Sequence, residues 1–204
     1  MTADASQLSW REQKRVRLRL DLTRAAVDLI KAQGFDGTTV EQIAQRAGTS
    51  PATFFRYFRT KEDVLFGDTP ERLAELRERL AASDRTRPPV LVMQECLAVQ
   101  LMNFANFDDE AIERECLELW ASEAGPRRRY MEIVVEWEGV LAEFLGERLG
   151  LPPNDSRCRL AAMLVIAVIR DALEAGAEGK DAARAAIERG NAMVNAGLLT
   201  SLPD

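Results

Sequence analysis

Apolar positions recur at helical spacing along almost the whole chain, and no stretch alternates as a half-buried strand would. The densest pattern lies at 38–58. Val40, Ile43, Ala44 and Ala47 fall at i, i+3, i+4 and i+7 and mark one face of a short helix. Thr38 and Thr39 precede it, with Glu41 and Gln42 three residues on, so a capping box is available in either register. Gly48 follows the last apolar position, where a helix end favours a left-handed residue. Ser50-Pro51 restarts the chain, with Ser as N-cap and Pro at the first helical position. Phe54, Tyr57 and Phe58 give this second helix a face to pack, leaving Thr49, Ser50, Ala52, Thr53 and Arg56 pointing elsewhere. Two short helices and a tight turn, the second exposing a small, hydroxylic and basic face, suit a DNA major groove.

The flanking patterns are helical as well. Ser9-Trp10-Arg11-Glu12 has the form of a capping box and opens a helix to about Gln33, stopped by Gly34. Its apolar face is Leu18, Leu22, Ala25, Ala26, Leu29 and Ile30. The Arg/Lys run before Leu20 has two readings, a solvated face or a set of phosphate contacts, and both stay open. Thr60 is placed to cap a fourth helix reaching about Ala82, with an interruption allowed near Gly67–Pro70. After a break over 83–89 come segments from Pro89 to Phe107, Asp108 to Glu123, Gly125 to Gly150, Asn154 to Ala177 and Lys180 to Leu199. The fold class is therefore all-α, with about nine helices.

Composition narrows the function. Hydrophobic residues make up 47% and charged residues 29%, an ordinary globular balance, and no run approaches a membrane span. The first nine residues are polar and lack a signal peptide's apolar region, so a cytoplasmic protein is expected. Histidine is absent, which removes imidazole-based catalysis and His metal sites. Cys96, Cys116 and Cys158 are odd in number and far apart, the pattern of free thiols and not of a zinc site. No cofactor is called for. The net charge of −6 is uneven: residues 1–66 hold eleven basic and eight acidic residues, a balance of +3, and the remainder holds 16 and 25, a balance of −9. A basic front on an acidic body is the layout of a nucleic-acid-binding head.

Continued through Arg59-Thr60-Lys61-Glu62-Asp63-Val64-Leu65, the 38–58 stretch resembles the TetR family of transcriptional regulators. The resemblance rests on Ala25-Ala26 and Gly34-Phe35-Asp36, on Thr38-Thr39-Val40 with Ile43-Ala44 and Ala47-Gly48, on Thr53-Phe54-Phe55 with Tyr57-Phe58, and on Lys61 to Leu65. It covers Thr23 to about Phe66, roughly a fifth of the chain. It implies an N-terminal three-helix helix-turn-helix domain over 1–66, a helical ligand-binding and dimerisation domain over 67–204, and a repressor whose DNA affinity a small molecule lowers. By the same resemblance Thr39 contacts phosphate, Ser50, Ala52 and Thr53 read base edges, Tyr57 contacts phosphate, and Lys61 anchors the opposite backbone. Capping alone remains the other reading of Thr39, and packing alone that of Tyr57. Phe55 stands where the family usually has Tyr, which removes a hydroxyl, and Arg56 is placed to compensate.

The effector is implied less directly. The wording of 54–65 is similar to a TetR subgroup that binds acyl-CoA-like or other lipid ligands, so a small apolar effector is expected. The candidate lining is Leu97, Leu101, Phe104, Cys116, Trp120, Val134, Trp137 and Leu141, with Gln100 and Arg170 placed to orient a polar end. A filled core is the other reading of each apolar position. Arg127-Arg128-Arg129 is either a cation cluster for such a ligand or solvated surface. The last two segments are rich in alanine, which lets helices approach closely, and the resemblance implies that they pair two copies into a homodimer on an inverted-repeat, double-stranded operator. An effector-independent regulator or an activator fits the same residues. An enzyme using the body is a remote alternative, since the sequence has no histidine, no clustered carboxylate–base set and no phosphate-cradling Gly loop to serve it.

Overall fold

The computed structural model describes residues 10–67, 69–104, 110–152, 154–176 and 179–197. Among these lie nine α-helices: α1 (Trp10–Gln33), α2 (Val40–Arg46), α3 (Pro51–Tyr57), α4 (Thr69–Ala81), α5 (Pro89–Phe104), α6 (Glu110–Ser122), α7 (Ala124–Leu149), α8 (Ser156–Ala175) and α9 (Lys180–Asn195). A short 3-10 turn, Glu62–Leu65, stands between α3 and α4. The expected cap at Ser9, the end of α5 beyond Phe104, the start of α6 at Asp108 and the tail at Leu198 and Leu199 lie outside the described residues.

The fourth helix departs from the single run expected of it. Thr60 does cap its own turn: the Asp63 amide donates to Thr60 Oγ1 (3.3 Å) and the Thr60 amide to Asp63 Oδ2 (3.0 Å). The turn stays 3-10 and ends at Leu65, and two residues on Gly67 takes a φ of +64°, a left-handed conformation closed to a continuing helix. α4 starts afresh at Thr69, with Pro70 near its start, where a missing amide costs nothing.

The chain forms two compact units. The first joins 1–67 to 109–129. Its buried side chains include Leu22, Ala26 and Ile30 of α1, Ile43 and Ala44 of α2, Phe54 of α3, Phe58, and Val64 and Leu65 of the turn. Thr23, itself fully buried, ties α1 to the turn through Thr23 Oγ1 donating to the Val64 carbonyl at 3.0 Å. The family resemblance implies one body over 67–204. In the structure α6 and the first residues of α7 cluster with the head instead, and specific contacts hold them there. Phe66 stacks on Trp120 (4.6 Å between centroids, 14° between planes). Asp63 pairs with Arg129 at 2.7 Å with both side chains largely buried, and Lys31 pairs with Glu115 at 2.7 Å. Gly125 lies so close to Phe35 that a Cβ there would stand 2.3 Å from the ring.

The second unit joins 68–108 to 130–204. α4 contributes Leu73, Leu76 and Leu80 to its core, α5 Val92, Met93 and Leu97, α7 Val140, Leu141, Phe144 and Leu145, and α8 Cys158, Ala162 and Val165. α8 and α9 pack Ala172 against Ala186 and Ile187. Arg148 pins the α4–α5 connection, donating to the carbonyls of Asp84, Arg85 and Arg87 at 3.2, 3.0 and 2.7 Å. Asp155 caps α8, and Arg157 bonded to it holds its carboxyl down to about 2. Cys116 and Cys158 are buried and in no disulfide, and burial pushes the half-buried Cys96 thiol up. No helix among the described residues is long and apolar enough to cross a membrane.

Two glycines in helix interiors should respond oppositely to alanine. At Gly139 of α7 an added Cβ meets nothing within 4 Å, so Gly139→Ala should stabilise the protein by the helix-propensity gain alone, about 0.5–1 kcal/mol. At Gly190 of α9 the Cβ would stand 2.7 Å from Val168 Cγ1, and β-branched Val168 is buried with little freedom to move. Gly190→Ala should therefore destabilise, by about 1–3 kcal/mol as overpacked sites do. Urea unfolding monitored by circular dichroism reads both signs.

Candidate nucleic-acid interface

α2 and α3 are seven residues each, so their ends decide their geometry. Of the two cap registers, the chain uses Thr39. The Gln42 amide donates to Thr39 Oγ1 (3.3 Å) and the Thr39 amide to Gln42 Oε1 (2.9 Å), a complete capping box. Gln33 Nε2 donates to the same Gln42 oxygen at 2.9 Å and to the Gly37 carbonyl at 2.8 Å. Thr38 turns inward, its hydroxyl donating to the Gly34 carbonyl. α2 closes in a Schellman arrangement. Gly48, at φ +69°, donates to the Gln45 carbonyl (3.1 Å), and the Thr49 amide donates to that of Ala44 (2.8 Å). One residue later Ser50 caps α3, accepting from the Thr53 amide at 3.2 Å. The turn between the helices is thus bonded from both sides.

Phe54 and Phe58 are buried and set which way α3 faces. That leaves Ser50, Ala52, Phe55 and Arg56 exposed, and Thr49, Thr53 and Tyr57 half-buried at the surface. Thr39 is exposed at the α2 N-terminus. Apart from Lys61, the structure therefore brings the DNA-contact set predicted from sequence onto the two helix starts and the outer side of α3. The Thr53 hydroxyl lies 3.1 Å from that of Ser50. The Arg56 guanidinium lies over the Tyr57 ring at 5.6 Å. Phe55 is 55% exposed and meets Phe54 edge-on. Sequence reasoning treats Phe55 only as a lost hydroxyl. Its exposure leaves an apolar ring on the outer side of α3.

Lys61 is engaged inside the head. Its ammonium donates to the carbonyls of Phe35 (2.7 Å) and Thr38 (2.8 Å) and sits 4.0 Å above the Phe35 ring. An ammonium has three donors, so one remains beyond these two carbonyls. Lys61 thus braces the connection that delivers the chain to the Thr39 cap.

The candidate effector residues divide between the two units. Cys116 and Trp120 are buried in the first, Trp120 against Phe66. Leu97, Gln100, Val134, Trp137, Leu141 and Arg170 belong to the second. There Leu97 and Leu141 are core, Trp137 packs against that core, Val134 is half-buried and Arg170 is exposed on α8. Arg170 is close enough to Tyr130 to draw its phenol down, against the larger upward push of burial. Leu101 and Phe104 lie in α5, but their side chains fall outside the described residues. Two arginines of the 127–129 run face the 3-10 turn: Arg129 pairs with Asp63, and Arg128 lies 3.9 Å from Glu62. In the second unit Gln100 is 2% exposed and donates to the Arg72 carbonyl at 3.3 Å, while its Oε1 has no protein partner. The indole N–H of Trp137 is likewise buried without one. No group of ligands able to hold a metal ion occurs among the described residues.

Comparison with known proteins bears on the same segments. Residues 22–66 match the family model described as "Bacterial regulatory proteins, tetR family", and residues 90–199 match the one described as "MftR C-terminal domain". The chain is similar to the HTH-type transcriptional regulator TcmR of Streptomyces glaucescens, 32% identical over 71% of this chain and 66% of that protein. It is also similar to the regulator MftR of Mycobacterium tuberculosis, 26% identical over 75% of this chain and 76% of that one. Among solved structures it is similar to FadR of Thermus thermophilus, a TetR-family repressor crystallised with lauroyl-CoA, at 25% identity and a TM-score of 0.50 over 91% of this chain and 96% of that one. These relatives are regulators and not enzymes, and their matches span both the helix-turn-helix head and the helical remainder. The chain belongs to the TetR family and is a DNA-binding transcriptional regulator.

Proposed function

We propose that the chain is a homodimeric, cytoplasmic repressor whose two α3 helices read the halves of an inverted-repeat operator, and that a small apolar effector releases it. Residues 1–66 would bind DNA, and 67–204 would hold the effector and the second copy. The observation that carries the DNA half is the doubly capped α2–α3 turn, which presents Ser50, Ala52 and Thr53 at the start of a helix whose other side is locked by Phe54 and Phe58. Thr39 lies at the N-terminus of α2, where the helix dipole and free amides favour a phosphate.

An exposed stripe on α8 supports the dimer. Leu160, Met163 and Leu164 are 61%, 52% and 37% exposed, and Ala167 continues them at helical spacing. Met193 adds an exposed apolar side chain on α9. A second copy covering this stripe removes it from water, and a dimer that reads successive major-groove faces needs its two α3 helices about 34–36 Å apart, one turn of duplex.

Gln100 Oε1 and Trp137 Nε1 support an effector in the body. A buried polar atom left unbonded costs about 1–3 kcal/mol, so each favours a ligand that supplies its partner. The amide oxygen takes a donor and the indole an acceptor. The apolar side chains of α5 and α7 suit a hydrocarbon, and the lauroyl-CoA held by the Thermus thermophilus relative supports an acyl chain.

Four outcomes are expected. Thr53→Ala should change base preference at one position of a DNA selected from a random pool, by about 1–3 kcal/mol, with little change in thermal stability. Lys61→Ala should weaken binding to all sequences and also lower the melting temperature, because two carbonyls lose a charged donor worth about 1.5–3 kcal/mol each. Leu160→Glu with Met163→Glu should yield a monomer by light scattering that no longer binds the selected DNA; a charged variant that stays dimeric sinks the α8 interface. For the effector, lauroyl-CoA is the probe. If it releases DNA, then DNA must weaken lauroyl-CoA binding by the same factor, and equal affinity with and without DNA contradicts release by this ligand.

A further inference from the structure

Two glutamines of α5 are buried, and their amides are met differently. Gln94 is 4% exposed and has both ends bonded: its nitrogen donates to Asn195 Oδ1 (3.2 Å), and its oxygen accepts from Asn195 Nδ2 (3.3 Å). Gln100 is more deeply buried and has one end bonded, its nitrogen donating to the Arg72 carbonyl of α4. A carbonyl only accepts, so the Gln100 amide cannot be turned over. Its oxygen is thereby fixed as the end without a protein partner. What Gln100 leaves open is an acceptor, and only a donor satisfies it.

A second buried polar atom of the same unit is of the opposite kind. Trp137 of α7 packs against the core that α4, α5, α7 and α8 build, and its indole N–H is buried without a protein partner. It takes an acceptor. Among the described residues, the buried polar side chains of this unit are Thr69, Gln94 and Gln100, and no charged side chain joins them. A carboxylate or phosphate brought among these groups loses its hydration with no buried cation to replace it.

These constraints sort ligand groups by what they donate and accept. An alkane meets neither atom. The oxygen of an ether, a thioester or a carboxylate accepts from Trp137 and leaves Gln100 Oε1 unmet. A hydroxyl both donates and accepts, and it carries no charge.

We propose that the effector is a neutral hydrocarbon bearing a hydroxyl, whose O–H donates to Gln100 Oε1 while a ligand oxygen accepts from Trp137 Nε1. This rests on the reading of the unit as an effector site and adds the chemistry of the ligand's polar end. An alcohol is bound in preference to the ether, the acid or the acyl thioester of the same chain.

The test uses the full chain with dodecan-1-ol, dodecyl methyl ether, laurate and lauroyl-CoA, binding being followed by tryptophan fluorescence and by the rise in melting temperature. The ether keeps the hydrocarbon and an accepting oxygen and lacks only the donor. Dodecan-1-ol should bind about tenfold more tightly than the ether. Gln100→Leu should remove that preference. Trp137→Phe should weaken both probes by a similar factor and keep it. Gln100→Leu also loses the bond to Arg72, so its melting temperature without ligand is measured; if that variant does not fold, the wild type and Trp137→Phe still decide. Equal affinity for alcohol and ether in the wild type overturns the proposal, as does tighter binding of laurate or lauroyl-CoA than of the alcohol. In either case the effector reading stands with a different ligand. A preference that survives Gln100→Leu in a folded variant also overturns it. If none of the four probes binds, the effector reading itself falls, and the proposal with it.

Discussion

Helices of seven residues do not hold themselves together. Nucleation fixes several residues for one hydrogen bond, and isolated helices shorter than about 12–15 residues are marginal in water. α2 and α3 are both that short, yet they must present side chains to a groove with little play. The head of this protein is the solution to that constraint. The Thr39–Gln42 box fixes one start, the Gly48 and Thr49 amides fix the end, and Ser50 fixes the second start. Phe54 and Phe58 then anchor α3 to the core, and Lys61 holds the approach to α2 through two carbonyls. Little of the interface is left to the helices' own propensity.

That economy explains what is legible in the sequence. Caps, left-handed glycines and i, i+3, i+4 spacing are local signals, and Gly34, Gly48 and Gly150 all take positive φ where a helix ends. The choice of Thr39 over Thr38 is not legible, because both have a partner three residues on. Gln33, from the end of α1, tips it by bonding to Gln42. The fourth helix misleads for a similar reason. Val64 and Leu65 look continuous with Leu73 in spacing, and only the backbone at Gly67 separates them.

What escapes the sequence is long-range. Nothing local says that Trp120 stacks on Phe66, or that Arg129 pairs with Asp63. Trp120 and Arg129 read as parts of the body because they stand among its residues in the chain. Trp137 and Gln100 stand out in the sequence as carriers of polar groups beside apolar surface, and in the fold Gln100 Oε1 and Trp137 Nε1 are buried without a protein partner. Lys61 points outward by resemblance alone. The structure instead turns its ammonium inward onto the Phe35 and Thr38 carbonyls.

The contact of Gly125 with Phe35 bears on inheritance and on engineering. A position that admits no side chain because of one ring elsewhere can change only if that ring changes, so the two sites should vary together across relatives. The same holds, less strictly, for Phe66 with Trp120 and Asp63 with Arg129. A designer who moves this DNA-reading head onto another regulator by cutting after Gly67 would leave those partners behind. The transferable module is discontinuous, and 109–129 has to travel with 1–67.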